Sequence, residues 1–277
     1  MTRLRRHRQD WDDLASLDPY WSVLTEPGKR FGGWDPNEFL RSGETEIEGL
    51  MVAARELGLP RAREAALDFG CGLGRLSRAL ARHFGQVWGV DISARMVEQA
   101  RELHRDVPNC TFETIEGTLA FPDARFDLVY SVLVLQHLPT RIAIRSTIWE
   151  LVRVLRPGGL LCFQVPSRLP LRRRWQLRRR LYGVLRAAGL GERVLYERCG
   201  LHPIRMNAVA QPEVQAIVAT AGGRVLACRP DDHAGPEMAS RLYFVTRATG
   251  RSGDTGAEPN PQAAGNRASA LRMPEAS

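Results

Sequence analysis

The sequence predicts an α/β protein built around a mostly parallel sheet. Three observations predict it. Between residues 65 and 165, short apolar runs alternate with helical segments. The first run ends in a glycine-rich bend that opens a helix, Asp68-Phe69-Gly70-Cys71-Gly72-Leu73-Gly74-Arg75. Two late runs, 224–228 and 241–247, lie too close for a crossover helix, so they read as an antiparallel pair at one sheet edge.

The elements follow in order. Residues 1–60 read as a helical, aromatic-rich cap, with Trp11, Tyr20, Trp21, Phe31, Trp34 and Phe39 close together. Within it, 45–57 keeps apolar residues at helical spacing (Ile47, Leu50, Met51, Ala54, Leu57) until Gly58 and Pro60. AALDF (65–69) is the first strand, 76–84 a helix, QVWGVD (86–91) the second strand and 94–105 a helix. CTFETI (110–115) is the third strand, and 126–135 begins as a buried fourth. Thr140 is placed to cap a helix over 141–155, which Pro157-Gly158-Gly159 closes, and LLCFQV (160–165) is the fifth strand. Strands and helices alternating at this length form βαβ units with right-handed crossovers. Residues 167–200 are a basic helical insertion, and 212–221 is a helix ending at Gly222-Gly223. Glycine, proline, serine, asparagine and alanine dominate 249–277, which is expected to be a disordered tail. The expected organisation is a cap (1–60), a core domain (61–248) and the tail.

Composition narrows the function. The chain has 277 residues, 44% hydrophobic and 25% charged, an ordinary globular balance with ample length for a core. No apolar run is long enough to span a bilayer, and the N-terminus lacks the apolar region of a secretory signal. Five scattered cysteines with no CxxC pair fit reduced thiols and a cytoplasmic location. Isolated histidines make a metal site unexpected. The net charge is +8, and its distribution is uneven. Residues 167–199 hold ten arginines against Glu192 and Glu197, a surplus equal to that of the whole chain. The remainder is neutral and carries no nucleic-acid module, which argues against a nucleic-acid partner.

The chemistry concentrates in the glycine-rich bend. Glycines there permit a tight strand-to-helix turn and close approach of a ligand to the backbone. The helix start presents free N–H groups. Arg75 stands where a dinucleotide fingerprint needs a small residue, and there is no Walker lysine. Asp91 ends the second strand 17 residues after Gly74, where a carboxylate can accept both hydroxyls of a ribose. The two features describe a site for a nucleoside with a small zwitterionic tail.

Taken together, DFGCGLGR, VWGVDIS, FPDARFDLVYS, QHLP and LRPGGLL resemble the successive motifs of class I S-adenosylmethionine-dependent methyltransferases of the small-molecule, type 11/12-like kind. The resemblance covers roughly residues 60–165 and the two late strands. It implies a Rossmann-like seven-stranded sheet in the order 3-2-1-4-5-7-6 with strand 7 antiparallel, and S-adenosyl-L-methionine as cofactor. It also implies roles. Gly70, Gly72 and Gly74 would floor the cofactor's amino-acid part, and Asp68 would help hold its ammonium. Asp91 would take the ribose hydroxyls, with Ile92 against the adenine. Glu116 and Gly117 would lie at the adenine edge, although many relatives have an aspartate there. Ser131 and the following Gln136-His137 would face the transferable methyl group, and Phe39 and Gly43 would close the site from above.

His137 is the catalytic candidate. Methyl transfer is an in-line displacement by an aligned acceptor, and a hydroxyl acceptor also needs its proton removed, which an imidazole can do. The plainer reading is a loop hydrogen bond or helix cap. The expected activity is methyl transfer to a small-molecule hydroxyl; the alternative is a non-catalytic cofactor-binding protein. The insertion has three readings. Over 168–188 an apolar stripe interleaves with arginines, which suits a lid steering an acidic acceptor, a helix on an anionic membrane surface serving a lipid methyltransferase, or a solvated helix packed on the sheet.

Overall fold

The computed structural model describes residues 3–170, 175–235 and 237–248. The expected tail at 249–277 and the arginines 172–174 lie outside them. Three helices precede the sheet: α1 (Arg3–Leu17), α2 (Pro19–Val23) and α3 (Pro36–Glu56). Then come β1 (Ala65–Phe69), α4 (Arg75–Leu80), β2 (Gln86–Asp91), α5 (Ala94–Leu103), β3 (Cys110–Thr114) and β4 (Phe126–Ser131). A 3-10 turn (Leu135–His137), α6 (Arg141–Val154) and β5 (Leu155–Arg168) lead to α7 (Leu177–Ala187) and α8 (Glu192–Glu197). The chain finishes with α9 (Gln211–Thr220), β6 (Gly223–Asp231) and β7 (Ala239–Arg247).

The seven strands lie in the order β3-β2-β1-β4-β5-β7-β6. The pairs β1–β2, β1–β4, β2–β3 and β4–β5 are parallel, while β7 runs antiparallel to both β5 and β6. The expected class I sheet is therefore present. All five residues of β1 are buried, as a strand covered on both faces must be. Leu67 and Phe69 point into a core with Ile144, Ile148, Leu151 and Val218, whereas Ala66 points into a second core with Ile47, Leu50, Met51 and Leu80. The strand order reverses between β1 and β4, and at such a switch point a crevice opens beyond the C-terminal strand ends.

Several boundaries differ from expectation. The helix after the glycine bend stops at Leu80, and 81–84 turn back toward β2. α3 starts at Pro36, nine residues before the segment with clear apolar spacing, because Asp35 accepts the Glu38 N–H as a cap and Pro36 sets the first turn. Strand β5 begins at Leu155 and runs through Pro157-Gly158-Gly159. There it shifts register against β7, with Gly158 at φ 76. Tertiary pairing thus overrides the local turn signal. In the insertion, the first helix among the described residues begins at Leu177, after Gln176 turns left-handed (φ 46).

Candidate functional site

The crevice at the ends of β1, β2 and β4 is roofed by α1. Its floor is the glycine bend. Gly70 and Gly72 have φ of 81 and 52, a backbone region that favours glycine. They are also needed for space: a Cβ on Gly70 would fall inside Val134, and one on Gly72 would lie 2.5 Å from Val23 Cγ2. The bend is tied to β2 by Gly70 and Cys71 N–H groups that donate to Val90 O at 2.7 and 3.0 Å. Gly70, Cys71 and Gly72 line the cavity. Gly74 does not; it starts α4 with its backbone against His104 and Phe112.

Asp91 also lines the cavity. Its Oδ2 accepts the Gly72 N–H at 2.9 Å, and its Oδ1 accepts the Ser93 N–H at 2.8 Å. Burial raises its pKa, against the lowering effect of these amides. Each oxygen keeps a lone pair beyond its backbone bond, so the carboxylate can accept two further hydroxyls. Ile92 and Gly117 line the same end. The glycine cradle and a carboxylate with two spare acceptor positions are the donor set a nucleoside with a zwitterionic tail requires, so these residues fit S-adenosylmethionine.

Other expected site residues stand elsewhere. Asp68 is buried beneath the bend and accepts the Ser77 hydroxyl at 2.6 Å; burial pushes its pKa up to about 7. Ser131 is fully buried and donates to Phe69 O at 3.1 Å, bracing β4 against β1 behind the cavity. Glu116 points to solvent, with 85% of its side chain exposed, and pairs with Arg8 at 3.4 Å. Phe39 and Gly43 lie one layer behind the site and hold Arg75. The Arg75 guanidinium sits 5.9 Å over the Phe39 ring, and a Cβ on Gly43 would meet Arg75 Cγ and O at 2.6 Å. Arg75 itself lines the cavity and pairs with Glu46 at 2.7 Å. A close helix crossing fixed by Gly43 therefore orients a charged wall residue.

The opposite end is apolar and contains two histidines. His137 Nδ1 lies 2.6 Å from Arg205 O, so Nδ1 carries the proton and donates, and Nε2 keeps its lone pair. Gln136 Nε2 approaches that nitrogen at 3.4 Å. Burial pushes the His137 pKa down to about 4, so the ring is neutral near pH 7. Trp11 packs edge-on against it with centroids 5.5 Å apart, and His7 packs at 6.3 Å on the other side of Trp11. Burial, helped by Arg205, His137 and Arg179, lowers His7 to about 4 as well. Leu133, Val134, Leu138 and Pro139 complete this wall.

The roof was not foreseen. Leu4, His7 and Trp11 of α1 all line the cavity. Their i, i+3, i+7 spacing, which places them on one helix face, was the available signal. α1 is fastened by Arg8 to Ile115 O (3.1 Å), by Asp12 to Ser93 Oγ (2.6 Å) and by Ala15 O to Gln99 (3.0 Å). Cys71 is buried with its thiol pKa raised well above the ordinary value by burial, which leaves it unreactive.

A sheet of this order with this crevice defines the class I methyltransferase fold. The family described as "Methyltransferase domain" matches residues 67–163. Over 158 residues the chain is 40% identical to a 2-methyl-6-phytyl-1,4-hydroquinone methyltransferase of Synechocystis sp., covering 54% of this chain and 47% of that protein. It is 32% identical over 167 residues to a ubiquinone biosynthesis O-methyltransferase of Xanthomonas campestris, covering 59% and 63%. Among solved structures, magnesium protoporphyrin IX methyltransferase from Synechocystis PCC 6803 with bound SAM superposes with TM-score 0.58 at 19% identity, covering 90% of this chain and 98% of that one. Residues 67–163 thus match a methyltransferase domain, and the fold is that of the class I S-adenosylmethionine-dependent methyltransferases. The chain spans about half the length of the curated relatives it matches first.

Proposed function

We propose that this protein transfers a methyl group from S-adenosylmethionine to a hydroxyl of a small molecule with an apolar body. The observation that carries the reading is one cavity with a glycine cradle and Asp91 at one end and an apolar chamber holding His137 at the other. Gly70, Gly72, Asp91, Ile92 and Gly117 hold the cofactor, and Asp68 supports the bend from below. When bound, the cofactor supplies an electrophilic methyl group on a sulfonium. Trp11, Leu133, Val134 and Leu138 exclude water and align the acceptor. His137 receives the acceptor O–H at Nε2 and takes its proton as the new oxygen–carbon bond forms, while Arg205 O steadies the resulting imidazolium through Nδ1–H. A base with a pKa of about 4 suits an acidic hydroxyl, phenolic or enolic, better than an aliphatic alcohol.

One relative named above is by its name a hydroquinone methyltransferase and the other an O-methyltransferase of ubiquinone biosynthesis, which supports a hydroxyl acceptor of a related kind. No helix among the described residues is long and apolar enough to cross a membrane, and five free cysteines support a cytoplasmic location. Equilibrium dialysis with labelled cofactor, followed by turnover with a panel of phenols and quinols, tests the reading. Saturable binding and methylated phenol support it; a folded sample that binds no cofactor contradicts it. Binding without turnover of any acceptor favours the non-catalytic alternative.

A further inference from the structure

Helix α7 has two apolar faces, and only one is used. Tyr182 and Leu185 face inward and pack with Leu195 and Leu201. Leu177, Leu181 and Val184, at i, i+4 and i+7, form a second stripe beside the first, turned outward by about a quarter turn, and they are 66%, 49% and 66% exposed. Of the ten large apolar side chains exposed among the described residues, five (these three, Trp175 and Val194) fall within residues 175–194. Such a patch on a soluble surface marks an interaction site.

The surroundings of the stripe select its occupant. Arg178 and Arg180 are exposed on α7 itself, Arg193 and Arg198 on α8 and just beyond it, and Arg168 at the end of β5. Residues 175–200 hold six arginines against Glu192 and Glu197, and Glu192 is already paired with Arg186. An apolar stripe within a cationic rim complements an anionic lipid surface, where apolar groups enter the headgroup boundary and arginines meet the phosphates. The helix is also anchored to the acceptor end of the cavity. Gln176 donates to Met206 O at 2.8 Å, next to Arg205, whose carbonyl holds His137.

We propose that the Leu177–Leu181–Val184 stripe and its arginine rim dock this protein on an anionic membrane surface, bringing the acceptor end of the cavity beside the bilayer. Docking is read without turnover, so its failure and that of the methyl-transfer reading are separable. The test is flotation of the full chain with phosphatidylcholine vesicles, with and without phosphatidylglycerol. The expected result is binding that requires phosphatidylglycerol and weakens with salt. A triple Arg168→Gln, Arg180→Gln, Arg193→Gln variant should lose roughly a hundredfold in partitioning, at about fivefold per arginine. Leu177→Ser, Leu181→Ser, Val184→Ser should lose at least about tenfold. Both variants should keep the wild-type melting temperature and cofactor affinity, because these side chains are exposed and away from the glycine bend. No flotation at low salt, equal binding to phosphatidylcholine alone, or variants that bind like wild type would overturn the proposal. So would a dimer that the serine variant splits, since a second copy would then cover the stripe.

Discussion

The two ends of the crevice are built by opposite strategies. The cofactor end is local and polar: Gly70, Gly72 and Asp91 lie within 22 residues, and backbone amides make most of its bonds. The acceptor end is assembled from distant segments, with His7 and Trp11 on α1, His137 beyond β4, and Arg205 between α8 and α9. A shared cofactor needs fixed geometry, which short-range backbone contacts supply. An acceptor chamber needs only shape and one polar group, which any neighbouring segments can provide.

Substitutions at the two ends should therefore separate cleanly. His137→Ala is expected to lower kcat by about 10²–10⁴-fold with cofactor affinity unchanged, measured by turnover and calorimetry on one sample. Equal loss of both would break the division between the ends. Asp91→Ala should weaken cofactor binding by about 1–3 kcal/mol, because the ribose contacts go and the Gly72 and Ser93 amides lose their acceptor. Gly43→Ala sharpens the comparison from outside the cavity. Its methyl would press on Arg75 backbone oxygen, so thermal denaturation should show about 1–3 kcal/mol of lost stability, with cofactor affinity following only through Arg75.

The smallest effect concerns pH. With its pKa pushed down to about 4, His137 stays in its basic form throughout the range where an ordinary imidazole would gain a proton. The kcat profile should be flat from neutrality down to about pH 5 and fall as pH drops through about 4. A limb near 6.5 would show that the ring is solvated during turnover.

The same contrast explains what the sequence made legible. Sheet order, the glycine bend, Asp91 and the Thr140 cap each depend on neighbours in the chain, and each stands where its residues indicated. The resemblance places Phe39 and Gly43 over the site, whereas they brace Arg75 from behind. Which side of a helix meets the cavity depends on a packing partner that spacing alone does not identify. The same holds for Leu4, His7 and Trp11, and Glu116 turns to solvent, where it pairs with Arg8 beside the Ile115 carbonyl.

The fastenings of α1 have a kinetic corollary. Arg8, Asp12 and Ala15 are bonded to Ile115, Ser93 and Gln99, on the side of the nucleoside end, while His7 and Trp11 on the same helix cover the other end beside His137. With its fastenings at that end, α1 would be steadied by donor binding there. Catalysis would then follow a compulsory sequence, with the donor loading before the chamber closes over its second substrate.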